Sequence, residues 1–139
     1  MLFELIYRSE AKPDVEEEDL LNILSTARTF NGDNDITGCL LYNNGSFVQM
    51  LEGEFTVLNE LYLRIREDKR HKNVVTLHMK EITERLYPDW KMAFKQMEAD
   101  DMRHVQSSLG INQFKELNSV DSESPVSKQL FWLASQSIF

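Results

Sequence analysis

The chain has 139 residues, the size of one domain with a small appendage. Hydrophobic residues make up 42% of the sequence and charged residues 27%, a balance typical of soluble globular proteins rather than of disordered or membrane chains. The net charge of −8 argues against binding to a nucleic-acid backbone, because such binding depends on Lys and Arg. We therefore expect no direct nucleic-acid partner.

The sequence gives no sign of export or membrane insertion. No run approaches the ~18 apolar residues of a membrane span, and Glu4 and Glu10 are out of place in a signal peptide. The lone Cys39 lies in an apolar stretch and has no intramolecular disulfide partner, so we interpret it as a core residue. We expect a cytoplasmic protein without a membrane partner.

The first predicted elements are a strand and a helix. Residues 2–9, LFELIYRS, alternate between two faces, which predicts a strand. A helix should begin near Asp14, which can act as its N-cap, with Glu17 completing a capping box. Apolar residues recur at helical spacing up to Phe30, and the turn-forming residues 31–35, NGDND, predict that the helix ends there.

The middle of the chain predicts a hairpin, a second helix and two more strands. Residues 36–53 read as two strands joined by a turn at 43–45. An amphipathic helix should run from 54 to 68, followed by strands at 73–82 and 90–97. The order βαββαββ predicts an α+β, ferredoxin-like, five-stranded sheet with both helices on one face.

The other face of such a sheet would be bare and needs a cover. The apolar residues expected there are Leu2, Ile6, Val48 and Met50. Residues 99–109 and 127–139 predict helices, joined by a flexible connection at 118–125. We expect a domain of residues 1–97 and a helical extension, residues 98–139, that packs on the bare face or on a second protomer and serves output or dimerisation.

An amide interrupts the apolar strand SFVQMLEG. Gln49 needs hydrogen-bond partners if it is buried, and strand alternation lets it face the two helices together with Tyr7. Asn31 lies at the end of the first helix, beside the same gap. Three such groups in an apolar slot suit a flat heteroaromatic ligand with carbonyl and N–H groups at its edge. They can also simply bond one another or the backbone, which spacing alone favours.

Six short motifs make the pattern more specific. In order, they are Y-x-S at residues 7–9, R-x-x-N at 28–31, I-T-G at 36–38, F-x-Q-x-L-E-G at 47–53, D-x-R-H at 68–71 and P-D-W-x-M at 88–92. Together they resemble the BLUF family of flavin-binding blue-light sensors over about residues 2–96. The family fold agrees with the predicted βαββαββ order.

The resemblance implies a flavin held between the two helices. FAD is the expected cofactor, with FMN as an alternative. The implied cofactor contacts are Tyr7, Ile23, Arg28, Asn31, Phe47, Gln49, Arg64, Ile65, Asp68, Lys69, Arg70 and His71. Phe30 departs from the family pattern, because the position before Asn31 is often polar in relatives.

The resemblance also implies a light-driven switch without net chemistry. In the family, the tyrosine that matches Tyr7 gives up an electron and a proton, and the glutamine that matches Gln49 rearranges. The flavin ends oxidised, with new hydrogen bonds and a slightly red-shifted absorption. Relatives use the pair that matches Trp90 and Met92 to pass the change onward, and we expect both to lie on one face of the last strand. Filling of the core is a sufficient alternative explanation for this pair.

Two other functions remain open from the residues alone. An acylphosphatase-like hydrolase shares the predicted framework but needs a glycine-bearing anion loop, and RSEAKPD after the first strand has no glycine. A flavin-free protein-interaction module is the other. We expect no enzyme activity, and no metal site, because His71, His78 and His104 do not fall at metal-ligand spacing.

The leading hypothesis is a stand-alone photoreceptor, since little chain follows residue 97. Its output should pass to an unidentified downstream regulatory protein. The apolar extension also favours a homo-oligomer, a dimer or larger.

Overall fold

The computed structural model describes residues 1–117 and 126–138, and its elements follow the predicted order. In chain order they are β1 (Leu2–Ala11), α1 (Glu17–Asp33), β2 (Thr37–Asn43), β3 (Ser46–Glu54), α2 (Phe55–Glu67), β4 (His71–Glu81), β5 (Ala93–Gln96), α3 (Ala99–Leu109), a short 3-10 helix (Phe114–Glu116) and α4 (Val126–Ile138). The predicted flexible connection at 118–125 lies outside the described residues.

The five strands form one sheet in the order β4-β1-β3-β2-β5. β1 pairs antiparallel with β3 and β4, β2 pairs antiparallel with β3, and only the β2–β5 pair is parallel. The register places Gln49 between Tyr7 on β1 and Leu40 on β2. This is the ferredoxin-like α+β fold that the sequence predicts.

The sheet separates two apolar cores. On one face, the core that includes α1 and α2 contains Leu5, Tyr7, Leu24, Leu40, Phe47, Leu51, Leu58, Tyr62 and Met92. On the other face, the core contains Ile6, Cys39, Leu41, Val48, Met50 and Leu77 together with Val105, Phe114, Leu117, Leu130, Phe131 and Ala134 of the C-terminal extension. The extension therefore covers the otherwise bare face, as expected. Burial there raises the pKa of the Cys39 thiol to about 12, which suits a core residue.

Helix α1 begins and ends later than predicted. Its N-cap is Glu16, which forms a capping box with Asp19, so the predicted Asp14 and Glu17 assignment is wrong. The helix also continues through Asn31 to Asp33. The chain leaves helical geometry at the C-cap Asn34, and the next residue, Asp35, has a left-handed φ of 54°. Residues 31–33, NGD, can adopt a helix, and the buried contacts of Asn31 favour the helix over a turn.

Strand β5 is shorter than predicted and does not contain Trp90 or Met92. The prediction that the two lie on one strand face is therefore wrong. Met92 is 3% exposed in the core beneath α1 and α2, whereas Trp90 packs against the core on the extension side and stacks on Tyr87 at a centroid distance of 4.2 Å. The physical reason is that side chains of α1 bind the backbone there: Asn31 Nδ2 donates to the Lys91 carbonyl oxygen, and Arg28 Nε donates to the Met92 carbonyl oxygen.

Candidate functional site

A cavity of about 200 Å³ lies between α1, α2 and the sheet. Its lining is mostly apolar, with a few polar groups, the usual composition of a small-molecule pocket. The lining residues are Tyr7, Ile23, Thr26, Ala27, Phe30, Asn31, Leu40, Phe47, Gln49, Leu51, Leu61, Arg64, Ile65, Asp68, Arg70 and His71. The cavity thus occupies the gap that the sequence predicts.

Two neighbouring strands bring a phenol and an amide together in this cavity. The Tyr7 hydroxyl donates a hydrogen bond to Gln49 Oε1, and Gln49 Nε2 donates to Met92 Sδ at 3.4 Å. Tyr7 and Gln49 are 4% and 6% exposed. Burial raises the pKa of the Tyr7 phenol, so Tyr7 remains a neutral hydrogen-bond donor.

Asn31 presents an unsatisfied acceptor. Its Nδ2 donates to the Lys91 carbonyl oxygen at 2.7 Å, while Oδ1 is one of three buried side-chain polar atoms without a partner among the residues that the structure describes. Such an orphan costs about 1–3 kcal/mol. An N–H group at the edge of a bound ligand would satisfy it. The pyrimidine edge of a flavin carries an N–H between two carbonyl groups, so the donor and acceptor set of this cavity fits a flavin.

The two helices approach each other across the cavity through a cation–π contact. The Arg64 guanidinium of α2 lies 5.5 Å from the centroid of the Phe30 ring on α1. Phe30, the residue that departs from the family pattern, therefore contributes an apolar wall and a contact with α2.

The loop after α2 supplies the polar side of the cavity. Arg70 binds Asp68 through paired hydrogen bonds, which hold the pKa of the Asp68 carboxyl below its usual range. His71 Nδ1 lies 2.9 Å from Ser9 Oγ, and its Nε2 contacts the Ile65 carbonyl oxygen. These groups are already ordered by one another, so this side of the cavity is preorganised.

The cavity contains every predicted cofactor contact except Arg28 and Lys69. Arg28 Nε instead donates to the Met92 carbonyl oxygen at 3.1 Å, and Lys69 is exposed in the turn after α2. The predicted contacts omitted six residues that also line the cavity: Thr26, Ala27, Phe30, Leu40, Leu51 and Leu61. Helical spacing could have predicted Thr26 and Ala27 from Ile23, and Leu61 from Ile65. Strand alternation along β3 could have predicted Leu51 from Gln49.

Residues 1–117 and 126–138 contain neither a metal-binding cluster nor a membrane-spanning helix. No three His, Cys, Asp or Glu side chains in this part of the chain form a group that could hold a metal ion. No helix there is long and apolar enough to cross a membrane.

The fold and the cavity define a small binding domain for a flat, polar-edged ligand. The family model BLUF, described as "Sensors of blue-light using FAD", matches residues 2–93. The chain belongs to the BLUF family, whose members are flavin-based blue-light sensors, and its cofactor is FAD. This membership favours the sensor over the hydrolase and the flavin-free module.

Curated relatives match part of this chain. The chain is 48% identical over 89 residues to the photoactivated adenylate cyclase subunit beta of Euglena longa, a match that covers 63% of this chain and 10% of the relative. It is 46% identical over 86 residues to the alpha subunit of Euglena gracilis, covering 62% of this chain and 8% of that relative. The chain thus spans about a tenth of the length of these relatives.

Solved structures match nearly the whole chain. The photo-activated state of BlsA superposes with a TM-score of 0.81 at 30% identity, covering 99% of this chain and 94% of BlsA. The dark state of BlrB, a BLUF protein, gives a TM-score of 0.78 at 29% identity and covers 97% and 96% of the two chains. The similarity therefore includes the C-terminal extension.

Proposed function

We propose that the FAD ring binds between α1 and α2 and that Tyr7 and Gln49 are the residues that respond to its excitation. When bound, FAD supplies the absorption of blue light and an excited state that accepts an electron. The observation that carries the proposal is the buried chain of contacts from the Tyr7 hydroxyl through the Gln49 amide to the Met92 sulfur. Asn31 would hold the ring's N–H edge with its Oδ1.

The contacts of Tyr7 and Gln49 suit a reversible switch. As Tyr7 loses an electron, its hydroxyl proton can move along the existing hydrogen bond to Gln49 Oε1. Gln49 loses little hydrogen-bond energy when it rearranges, because the sulfur that its Nε2 contacts is only a weak acceptor. A rearranged amide presents the opposite hydrogen-bonding group at the same point. Return of the proton and electron to Tyr7 leaves no net reaction.

The segment around Trp90 and Met92 supports an output route across the sheet. Met92 contacts Gln49, while Trp90, two residues earlier, packs against the core that contains α3 and α4. A change at Gln49 therefore has a short path to the extension, residues 98–139. We infer that this extension acts as the output element.

The names of the relatives support a regulatory output. Similar sensor regions occur in proteins named photoactivated adenylate cyclases. We infer that this chain likewise regulates an effector, which here is a separate downstream protein or a second copy of the chain in a homodimer. The sensor domain itself needs no catalytic residue for this role.

An absorbance spectrum before and after blue light tests the proposal. The purified protein should be yellow and should show a reversible red shift. Tyr7→Phe keeps the ring but removes the hydroxyl, so this variant should bind FAD and lack the shift. A normal shift in Tyr7→Phe would overturn the assigned role of Tyr7.

A further inference from the structure

The segment of residues 85–92, between β4 and β5, carries Trp90 and Met92 but belongs to neither strand. Its backbone is held by a side chain of β3. Glu52 Oε2 accepts a hydrogen bond from the Leu86 N–H at 2.7 Å, and Oε1 accepts one from the Tyr87 N–H at 3.2 Å. One carboxylate therefore fixes two consecutive peptide groups of this segment.

Glu52 is itself firmly held. It is 0% exposed, and the Thr37 hydroxyl donates to its Oε1 at 2.9 Å. Arg85 Nη1 donates to Thr37 Oγ1 and to the Glu52 carbonyl oxygen, each at 3.0 Å. A buried carboxylate is unfavourable unless it is well partnered, and here its partners are the hydroxyl and the backbone of the segment. An apolar side chain would fill the same space without this cost, so the carboxylate points to a positioning role.

The far end of the segment meets the light-responsive amide. Met92 Sδ lies 3.4 Å from Gln49 Nε2, and the Trp90 carbonyl oxygen accepts from the Gly38 N–H at 2.8 Å. Gln49 and Glu52 lie three residues apart on β3, on opposite faces. The same strand thus carries the amide and the anchor of the segment that packs against it.

We propose that Glu52 is a positioning residue that holds residues 85–92, and through them the Met92 sulfur, against Gln49, and that it thereby sets the lifetime of the light-induced state. The inference rests on the proposed rearrangement of Gln49. To return to its dark arrangement, the Gln49 amide must turn against the Met92 side chain. If the Met92 side chain is held firmly, thermal recovery of the dark state is slow. If it is held loosely, recovery is fast.

The first test is Glu52→Gln, measured as thermal recovery of the dark spectrum after a blue flash. The amide keeps the shape of Glu52, but its NH₂ group faces a backbone donor and leaves one N–H of the segment unpaired. We expect the red shift to form and to decay about tenfold faster, the effect of roughly one lost hydrogen bond.

Glu54→Gln is the matched control on the same strand. Glu54 is exposed, and its carboxylate bonds the N-terminal amine at 2.7 Å. The thermal recovery of the dark spectrum in Glu54→Gln should equal that of the unmodified protein. Equal or slower recovery in Glu52→Gln than in Glu54→Gln would overturn the proposal.

Thr37→Val gives a second, milder test if Glu52→Gln does not fold. It removes the hydroxyl that links Glu52 to Arg85 and keeps the side-chain shape, so recovery should again accelerate, while Thr37→Ser should behave like the unmodified protein. Equal lifetimes in the two Thr37 variants would count against the proposal. Absence of any red shift in the unmodified protein would instead refute the proposed function.

Trp90 fluorescence separates positioning from general destabilisation. The chain has two tryptophans, so Trp132→Phe leaves Trp90 as the single reporter on the segment. Adding Glu52→Gln should increase acrylamide quenching of Trp90 in darkness, and adding Glu54→Gln should not. Unchanged quenching in both variants would mean that Glu52 does not hold the segment.

Discussion

Gln49 has hydrogen-bonding capacity beyond its two contacts. A glutamine side chain offers two acceptor positions and two N–H donors. Tyr7 and Met92 use one of each, which leaves one acceptor position and one N–H for a ligand in the cavity. The amide can therefore bind the ligand, the phenol and the sulfur together.

Gln49→Leu should retain FAD and lose the red shift. Leucine is close to glutamine in size and preserves the apolar packing, but it bonds neither Tyr7 nor the ligand edge. Light-minus-dark difference spectra of the purified variant check this expectation. A full red shift in Gln49→Leu would mean that the amide has another purpose.

Asn31→Ala should weaken FAD binding by ~1–3 kcal/mol, because it removes the acceptor Oδ1 and releases the Lys91 carbonyl oxygen. Titration of the apoprotein with FAD measures the change. Asn34→Ala is the matched control, since Asn34 Nδ2 bonds the Phe30 carbonyl oxygen at the end of the same helix. Equal affinities in the two variants would argue against Asn31 as a cofactor contact.

Local sequence patterns predicted the order of the secondary-structure elements. Alternation and helical spacing predicted the order of strands and helices, and placed Tyr7 and Gln49 in one gap. The predicted end of α1 was wrong because the turn propensity of Asn31 is a weak preference, and the buried contacts of this residue override it. The strand predicted at 90–97 was wrong for residues 90–92, where Asn31 and Arg28, side chains distant in sequence, bind the backbone carbonyl groups of residues 91 and 92.

The docking of α4 also depends on a pair distant in sequence. Glu4, 0% exposed on β1, accepts hydrogen bonds from Lys128 Nζ of α4 at 2.7 Å and from His78 Nε2 at 3.0 Å. Burial alone would raise the pKa of the Glu4 carboxyl, but these two groups outweigh burial and lower it below its usual 4.5. A carboxyl with a lowered pKa stabilises the fold above its unfolded pKa and loses this contribution as pH falls through the folded value.

Lys128→Met should therefore lower the free energy of unfolding at neutral pH by ~1–3 kcal/mol and begin its acid unfolding at a higher pH. Urea unfolding at a series of pH values measures both effects. Lys115→Met is the control, because Lys115 forms a more exposed pair with Glu10, and such pairs contribute ~0–1 kcal/mol. Identical acid profiles in the two variants would show that Lys128 does not stabilise the Glu4 carboxylate.

In the whole molecule, the sheet separates the cavity from the C-terminal extension. The cavity lies on one face, and the extension covers the other face with Leu130 and Phe131, which are 0% and 1% exposed. β3 contributes side chains to the cores on both faces of the sheet. Residues 85–92 also contact both cores, through Met92 on the cavity side and Trp90 on the extension side. Residues 85–92 therefore connect the cavity directly to the core that contains the extension.

Illumination should therefore change the protection of α4 against hydrogen exchange. If residues 85–92 shift when Gln49 rearranges, the packing of Trp90 against the extension-side core changes, and α4 should open more often. A change of ~1.4 kcal/mol in docking alters the undocked population about tenfold, which exchange rates resolve. Gln49→Leu is the control and should exchange equally in darkness and light. Deletion of residues 126–139 should keep the red shift while abolishing any effect of light on oligomeric state or solubility. Equal protection of α4 under both conditions, at saturating illumination and with a normal red shift, would contradict the extension as the output element.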